Sequence, residues 1–420
     1  MKIKPTPLPL LIIVASLALG QAAHAQNKLL DVLQDENARD ADFWIYNDLA
    51  AARAEARRTN KPLFVTFRCV PCADCKGFDA EVAKNNQRIK NLAQEAFVAV
   101  RQVEMKGVDL SQFQFDYDLN WAAMFINADG TVYARYGTQS AMGADAYNSV
   151  ESLEKTMRRV LALHNGYPAN HAALAGKLGK PKPYKSALQM PGMKHRSKLA
   201  GSTARNNCVH CHNIHDAEHE QLQDAGRLNH DALWRYPLPD NLGLQLDPSD
   251  GLVVTAVQAD SPADKAGLHP GDMLTRADGQ VLTSIADLQW VLHNLPNTRA
   301  SVTLKATRGD SAIEKKLTMN AGWKKTDISW RGSIWSIKPV LATWCAPMKD
   351  KQIKPLRLAK GVKPLEVRWI NTDRPEGRNA KRAGLRQGDI IIGMEGKPLR
   401  MTSQHFNMHV KLNYRGGDKL

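Results

Sequence analysis

The 420-residue chain carries 57 Lys and Arg residues against 42 Asp and Glu residues, which gives a formal net charge of +15. A chain of this length exceeds one ordinary domain, so we expect two or three domains. The charge would suit nucleic acid, but no nucleic-acid-binding motif occurs, and we predict no such partner. Residues 155–215 hold eleven Lys and Arg and no Asp or Glu. This basic stretch indicates a solubilising surface, or docking to anionic lipid head groups or an acidic redox partner.

The N-terminus has the three parts of a secretory signal peptide. Lys2 and Lys4 form a short basic region, Leu8–Leu19 is apolar, and Ala23-His24-Ala25 is a small-x-small cleavage site. Residues 1–25 are therefore predicted to be removed and the mature protein to be exported. An uncleaved anchor is the alternative, although the apolar run is short for a membrane span.

The six cysteines fall in clusters instead of being scattered along the chain. Their positions are Cys69, Cys72, Cys75, Cys208, Cys211 and Cys345. A disulfide-stapled framework would spread its cysteines, so the clusters indicate chemistry.

The N-terminal third, residues 26–165, alternates between helical and strand patterns. The predicted elements are a helix over Phe43–Thr59, a strand over Leu63–Phe67, a helix ending near Ala96, a strand over Phe97–Val103, a hairpin turning at Ala128-Asp129-Gly130, and a helix over 146–164. The first cysteine cluster lies between the first strand and the second helix.

This order resembles that of thioredoxin-like proteins, whose redox motif occupies the place of Cys72 and Cys75. The resemblance implies that Cys72 attacks a disulfide as a thiolate and that Cys75 resolves the mixed disulfide. Cys69 adds a second, overlapping Cys-x-x-Cys, and Trp121 or Ala122 stands where the family has a cis-proline. Three interpretations stay open: an active thiol site that includes Cys69, a degenerate domain with a structural disulfide, or a metal site built from three thiols.

Residues 166–236 form a basic connector rich in Pro, Gly and Lys, and they contain the string Cys-Val-His-Cys-His. Cys-x-x-Cys-His is the attachment signature of haem c. Cys208 and Cys211 would bond to the macrocycle, and His212 would ligate the iron. The alternative is half of a zinc site. Unranked candidates for the opposite iron ligand are Met190, Met193, His195 and His230, and His215 and His219 are the histidines available to zinc.

An internal repeat occupies the rest of the chain, where Ala266–Leu274 recurs as Ala383–Ile391. The shared Ala-Gly-Leu-x-x-Gly-Asp string resembles PDZ domains of bacterial envelope proteins. The resemblance implies a first module over 237–320 and a second over 351–420, joined by a Trp-rich segment over 321–350. The second module is expected to be incomplete, because the chain stops where a last strand would start.

PDZ domains add a peptide strand to a sheet edge and bind its terminal carboxylate with backbone N–H groups. Leu242, Gly243 and Leu244 match that loop in the first module, whereas Leu356-Arg357-Leu358 of the second lacks the glycine. Protein C-termini or extended peptides are therefore the predicted partners, with an internal scaffold as the alternative. Gly309-Asp310-Ser311 is similar to a protease nucleophile string but lies inside the first module, so we predict no protease.

The whole chain resembles a group of exported bacterial thioredoxin/PDZ fusion proteins, some of them selenoproteins. The predicted fold is multidomain: a thioredoxin-like α/β domain, a short haem-binding connector and two mainly-β PDZ-like modules. The predicted function is a periplasmic redox protein that combines a thiol site and a covalent haem c with peptide binding, and thiol-disulfide oxidoreductase activity is the enzyme class implied. The alternative is a non-catalytic haem-containing adaptor or sensor whose output is protein binding.

Overall fold

The computed structural model describes residues 29–71 and 76–419. These residues form two compact units. The first covers the described chain up to Ile214 together with Arg235–Lys325, and the second covers His215–Trp234 together with the residues from Thr326 onward. Within the described residues, no helix combines the length and apolar character that crossing a bilayer requires. The domain boundaries predicted above stay predictions.

The N-terminal α/β domain, in the first unit, is built on a five-stranded sheet with the order β1-β3-β2-β4-β5. The strands are β1 (Ile45–Tyr46), β2 (Leu63–Arg68), β3 (Val98–Gln102), β4 (Trp121–Ile126) and β5 (Val132–Tyr136). β3 runs parallel to β1 and β2, whereas β4 is antiparallel to β2 and β5. Every residue of β2 is buried, as an apolar run at the centre of a covered sheet requires.

The described part of this domain has four helices: α1 (Leu49–Thr59), α2 (Lys76–Ala80), α3 (Gln87–Ala96) and α4 (Val150–Asn165). The sequence predicts three, and the single helix predicted to end near Ala96 is divided into α2 and α3. A π-helical turn, Glu81–Asn85, joins α2 to α3. The helix predicted from Phe43 begins later because the Asp48 side chain accepts a backbone N–H of its first turn at 2.9 Å. The helix predicted from 146 begins later because Ser149 caps α4 in the same way, at 3.0 Å.

The connector is irregular, as predicted. Its helices are α5 (His171–Leu174), α6 (Arg196–Leu199) and α7 (His212–Asp224), with 3-10 turns at Ala175–Lys177, Ala187–Gln189 and His230–Leu233. A further 3-10 turn, Pro239–Leu242, lies at the start of the first repeat module.

The first repeat module, also in the first unit, contains β6 (Leu244–Leu246), β7 (Val254–Val257), α8 (Pro262–Lys265), β8 (Met273–Ala277), β9 (Gln280–Val281), α9 (Ile285–Asn294), β10 (Ala300–Arg308) and β11 (Ser311–Met319). Its sheets have the orders β11-β10-β8-β9 and β6-β7. The Ser261 side chain accepts the Asp264 N–H at 3.2 Å, so the predicted helix start with proline after the cap is confirmed.

Helix α9 joins this module to the N-terminal domain. Its residues from Ile285 to Leu292 are all buried, because one face packs into the module core and the other meets β5. Asp287 accepts the Lys177 ammonium at 2.6 Å and the Arg135 N–H at 3.1 Å. The Trp290 indole donates to the Gly176 carbonyl at 2.9 Å. The two domains therefore share one buried polar interface.

The second unit contains the same succession of strand, short helix, short strands and longer helix that runs from β7 to α9 in the first module. Its elements are β12 (Thr343–Pro347), α10 (Asp350–Ile353), β13 (Leu365–Ile370), α11 (Pro375–Arg382), β14 (Ile390–Ile391), β15 (Gly393–Met394), β16 (Lys397–Pro398) and α12 (Ser403–Asn413), with 3-10 turns at Gly332–Ser336 and Lys354–Leu356. Cys345, whose role the sequence left open, packs in the core of this unit with Val367 and Phe406, and burial raises the pKa of its thiol.

Candidate functional sites

The first cysteine cluster follows the carboxyl end of β2. Cys69 is the residue after β2 and is partly buried, whereas Cys72 and Cys75 lie outside the described residues. The chain is described again from Lys76, where α2 begins. Arg68 and α2 therefore bracket the predicted redox motif.

A buried carboxylate on α2 connects the two sides of that motif. Asp79 pairs with Arg68 at 2.8 Å and with Arg101 of β3 at 2.7 Å, and the three side chains are at most 3% exposed. It also accepts the Asn37 amide at 2.6 Å and the Trp121 indole N–H at 3.1 Å. These contacts hold the end of β2, the start of β4 and α2 together.

The charge balance of this cluster favours ionised Asp79. Burial acts to raise its pKa, but Arg101 and then Arg68 lower it, and the net pKa lies below its ordinary 3.8. Arg101 also pairs with Asp35 through two nitrogens, at 2.7 Å and 2.9 Å. A buried carboxylate that accepts this many charged donors is a fixed anchor, because an unpaired charge would be costly there.

Trp121 and Ala122, the two residues predicted to stand in place of the family's cis-proline, are the first two residues of β4. The Trp121 ring packs edge-on against Phe78 of α2 at a centroid distance of 5.0 Å. With its bond to Asp79, the Trp121 side chain ties the start of β4 to α2. Both candidates are buried, so either residue contributes to the packing of the domain.

The second cysteine cluster lies against the N-terminal domain. Val209, between its cysteines, accepts the Met105 N–H with its carbonyl at 3.1 Å and donates its own N–H to the Glu104 carboxylate at 2.9 Å. Glu104 also accepts the Thr203 hydroxyl at 3.0 Å, and Val209 is fully buried. The chain after β3 thus binds the connector through both backbone groups of Val209.

This docking brings thiols from both clusters to one place. The Sγ of Cys69 lies 3.1 Å from the Nδ1 of His210, and the Cys208 thiol contacts the Val103 carbonyl at 3.5 Å. Cys208 and Cys211 are 8% and 9% exposed. Burial raises the pKa of both thiols. The neighbouring Glu104 raises the pKa of Cys208 further, and Cys69 adds to the rise at both cysteines.

The three residues predicted to hold haem are close together in sequence, but their surroundings are those of a packed segment. The His212 ring stacks on His210 at 5.8 Å with an interplanar angle of 4°. A covalent haem needs both thiols at the rim of a slot that accepts the macrocycle. Here Cys208 and Cys211 are buried against protein atoms, and this arrangement does not fit haem unless the segment leaves the domain. The haem therefore stays a prediction, and no chemical step is derived through it.

The other predicted ligands have separate surroundings. Met190 and Met193 of the first unit are buried, at 1% and 6% exposure, whereas His195 is exposed. His215 and His219 belong to the second unit. His215 pairs with Glu218 at 3.1 Å, and the His219 Nδ1 lies 3.0 Å from the Ser336 hydroxyl.

The predicted peptide-binding loop of the first module depends on one glycine. Gly243 has a φ of +82°, and a Cβ there would lie 2.2 Å from the Ser261 Cβ. Its N–H donates to the Asp240 carbonyl at 2.9 Å, and its carbonyl accepts the Gln258 N–H at 2.8 Å. Leu242 and Leu244, on either side, are fully buried in the core of the first module, and their packing fixes the position of the loop.

The second module keeps the loop conformation without the glycine. Arg357 follows the 3-10 turn Lys354–Leu356 and has a φ of +47°, on the same left-handed side as Gly243. An arginine tolerates this conformation at a cost of about 1–2 kcal/mol. The second module therefore carries a different side chain at this loop but keeps the left-handed backbone conformation.

Sequence reasoning missed the polar groups that organise both cysteine clusters. The sequence patterns place Asp79 in a helix and Arg101 in a strand, and they assign Glu104 to no element. The available signal was an arginine in the middle of a buried strand, since such a charge needs a buried partner.

Comparisons with known proteins agree with this architecture. A thioredoxin-like family model matches residues 44–128, and a PDZ domain model matches residues 253–305. The chain is 32% identical over 150 residues to the periplasmic pH-dependent serine endoprotease DegQ of Escherichia coli strain K12, covering 36% of this chain and 29% of that protein. It is 33% identical over 146 residues to a probable periplasmic serine protease do/HhoA-like of Haemophilus influenzae, covering 34% of this chain and 27% of that protein.

The chain thus contains a thioredoxin-like domain and a PDZ domain, in a mixed α/β structure with several sheets. It spans less than a third of the length of these curated relatives.

Proposed function

We propose that the protein is an exported thiol redox protein whose PDZ modules bind other proteins. The observation that carries this proposal is the position of Cys69, which follows the central strand and lies 3.1 Å from His210 between the two cysteine clusters. Thiols concentrated at the end of a central strand, within a thioredoxin-like domain, suit disulfide exchange. Both relatives are described by their names as periplasmic proteins, which supports the predicted export.

The proposed chemistry uses the cysteines of the predicted motif. The Cys72 thiolate would attack a disulfide of the partner protein, forming one sulfur–sulfur bond while the partner's bond breaks and its second sulfur leaves as a thiolate. Cys75 would then displace the partner, so that the partner gains two electrons and this chain keeps the disulfide. Asp79 would hold the supporting helix α2 in place.

Insulin reduction by the mature chain tests this function. The Cys72→Ser variant is expected to lose the activity, whereas Cys345→Ala, which changes a thiol in the core of the second unit, should keep it. Equal rates for the Cys72→Ser variant and the parent protein would remove the proposal.

The PDZ part of the proposal concerns protein C-termini or extended peptides. The left-handed Gly243 and its buried neighbours form a loop suited to a terminal carboxylate. A labelled peptide with a free carboxylate should bind the chain more tightly than its amidated form, measured by fluorescence anisotropy. Equal affinities would point to an internal scaffold.

Haem attachment is the second candidate, favoured by the Cys-x-x-Cys-His string itself. Cys208 and Cys211 would hold the group, His212 would ligate its iron, and the group would supply single-electron transfer. Protein made with haem-attachment machinery should then show an absorption band that survives denaturation, and a colourless product would exclude the haem. An adaptor or sensor role, favoured by the missing cis-proline, predicts peptide affinity that changes with the redox state without any insulin reduction.

A further inference from the structure

We propose that Cys208 and Cys211 form a second dithiol of the redox site and exchange a disulfide with Cys69. This inference rests on the proposed thiol function and identifies additional reacting groups for it. It assigns the Cys-x-x-Cys of the connector to thiol chemistry instead of haem attachment.

The first step of the argument is the docking of the connector. Val209 is bound on both backbone groups, by the Met105 N–H at 3.1 Å and by the Glu104 carboxylate at 2.9 Å. Lys106 adds a bond from its ammonium to the Asn207 carbonyl at 2.9 Å. The residues immediately before and inside the cysteine pair are thus fixed to the chain that follows β3.

The second step is the position of Cys69 relative to this segment. Its Sγ lies 3.1 Å from the Nδ1 of His210, which stands between Cys208 and Cys211. The His210 N–H donates to the Asn213 side chain at 3.0 Å, and this bond stabilises the turn that carries both cysteines. A thiol from the end of β2 and a Cys-x-x-Cys pair therefore meet across one histidine.

The third step is the setting of the two connector thiols. Both residues are more than nine-tenths buried, and Cys208 contacts the Val103 carbonyl at 3.5 Å. Haem attachment would require these thiols to face a slot for the macrocycle, which conflicts with their packing. A disulfide between cysteines three residues apart needs no such slot and is compatible with the start of α7 immediately after Cys211.

Cys208 and Cys211 are free thiols in the structure, so the exchange begins with their oxidation. A disulfide oxidant, such as oxidised glutathione, takes up two electrons and two protons from the pair as the Cys208–Cys211 disulfide forms. The Cys69 thiolate then attacks one sulfur of this disulfide, the new sulfur–sulfur bond forms as the old one breaks, and the other cysteine leaves as a thiolate that takes a proton from water. The reverse step restores the Cys208–Cys211 disulfide, so the two clusters share one disulfide, which carries two oxidising equivalents.

Trapping of the mixed disulfide tests the inference. The mature chain carrying Cys208→Ser or Cys211→Ser is equilibrated in a glutathione redox buffer, alkylated, digested and mapped by mass spectrometry. We expect a peptide that joins Cys69 to the remaining connector cysteine in at least one variant. This peptide should be lost when Cys69→Ser is added, and Cys345→Ala should leave it unchanged.

A second measurement covers variants that fold poorly. The unmodified chain in oxidised glutathione should yield the Cys208–Cys211 disulfide, which the same mapping detects. Absence of every Cys69-linked peptide would overturn the inference, as would haem bonded to both cysteines in protein made with attachment machinery. Cys72-dependent insulin reduction is scored separately, so a working thiol site with no Cys69-linked peptide refutes only this inference.

Discussion

Replacing Lys177 with Met would leave the Asp287 carboxylate without its cation inside the first unit. The Lys177 Nζ lies 2.6 Å from an Asp287 carboxylate oxygen, and both side chains are 0% exposed. The carboxylate would keep its bonds from the Arg135 and Thr283 N–H groups, at 3.1 Å each. These neutral donors lower the free-energy cost of losing the cation, but they do not eliminate that cost.

The magnitude follows from the distance. Two unit charges separated by 2.6 Å attract by about 6 kcal/mol at an effective dielectric constant of about 20. Removing one partner of a buried pair typically costs about 3–5 kcal/mol, because the other charge stays buried and unpaired. Replacing both groups, as Lys177→Met with Asp287→Leu, should recover most of that loss because no charge then stays behind.

Urea unfolding of the mature chain, followed by circular dichroism, measures this cycle. The single Lys177→Met variant should lower the free energy of unfolding by about 3–5 kcal/mol. The double variant should lose much less stability than the sum of the losses in the two single variants. An exposed pair gives the matched control. Arg58 and Glu55 are 2.6 Å apart with side chains 72% and 38% exposed, and breaking that pair should leave the free energy of unfolding nearly unchanged because water screens the two charges.

The pH dependence separates the two single variants. Burial lowers the pKa of Lys177 below its ordinary 10.5, although Asp287 acts to raise it. Without Asp287 the folded pKa falls further, so the folded chain binds fewer protons than the unfolded chain up to about pH 10.5. The Asp287→Leu variant should therefore gain stability as the pH rises from 7 toward 10, whereas Lys177→Met should not. A cost below about 1 kcal/mol for Lys177→Met, or additive single effects, would refute the reasoning.

Three further predictions concern other parts of the first unit. Because the folded pKa of Asp79 lies below 3.8, its stabilisation should be present above that pH and lost as the pH falls below it. Asp79→Asn should lower stability by about 3–5 kcal/mol at pH 7 and flatten the acid dependence of the urea midpoint, and an unchanged acid slope would contradict this. Gly243→Ala should abolish carboxylate-dependent peptide binding because the new Cβ would clash with Ser261. The control Gly279→Ala has a similar φ of +79° and nothing within 4 Å of the new Cβ, so it should leave peptide affinity intact. Equal peptide affinities in the two variants would argue against a role of this loop in binding. Leu288→Ala should destabilise the fully buried core of the first module by about 2–5 kcal/mol in thermal or urea unfolding, and a loss below about 1 kcal/mol would mean that the core collapses around the gap.

Local patterns predicted much of the architecture. The hairpin at Ala128-Asp129-Gly130 is confirmed, with Gly130 donating to the Asn127 carbonyl at 3.0 Å, and so is the Ser261 cap. The thioredoxin-like resemblance and the PDZ resemblance of the first module are confirmed by the family matches over 44–128 and 253–305, whereas the PDZ resemblance of the second module stays a prediction. The starts of helices were less well predicted. The helix-like apolar spacing begins before the capping residues Asp48 and Ser149, whereas the helices themselves begin after them.

The candidate sites were likewise predicted only in part from the sequence. The cysteine spacings identified which residues carry chemistry, but spacing says nothing about which clusters meet. Cys69 and His210 are 141 positions apart in the chain, and the Glu104 bond to Val209 spans 105 positions. Such pairings depend on how the connector packs after β3, which no local period reports.

The sequence by itself determined the element order, the export signal it predicts, the repeat and the positions of the thiols, because these depend on neighbours within a few residues. Only the tertiary structure decided that Asp79 anchors both sides of the redox motif, that Lys177 and Asp287 neutralise each other inside the first unit, and that the connector cysteines lie against the N-terminal domain. Buried charges and thiols acquire their partners from packing, since the free energy of burial depends on what surrounds a group in space.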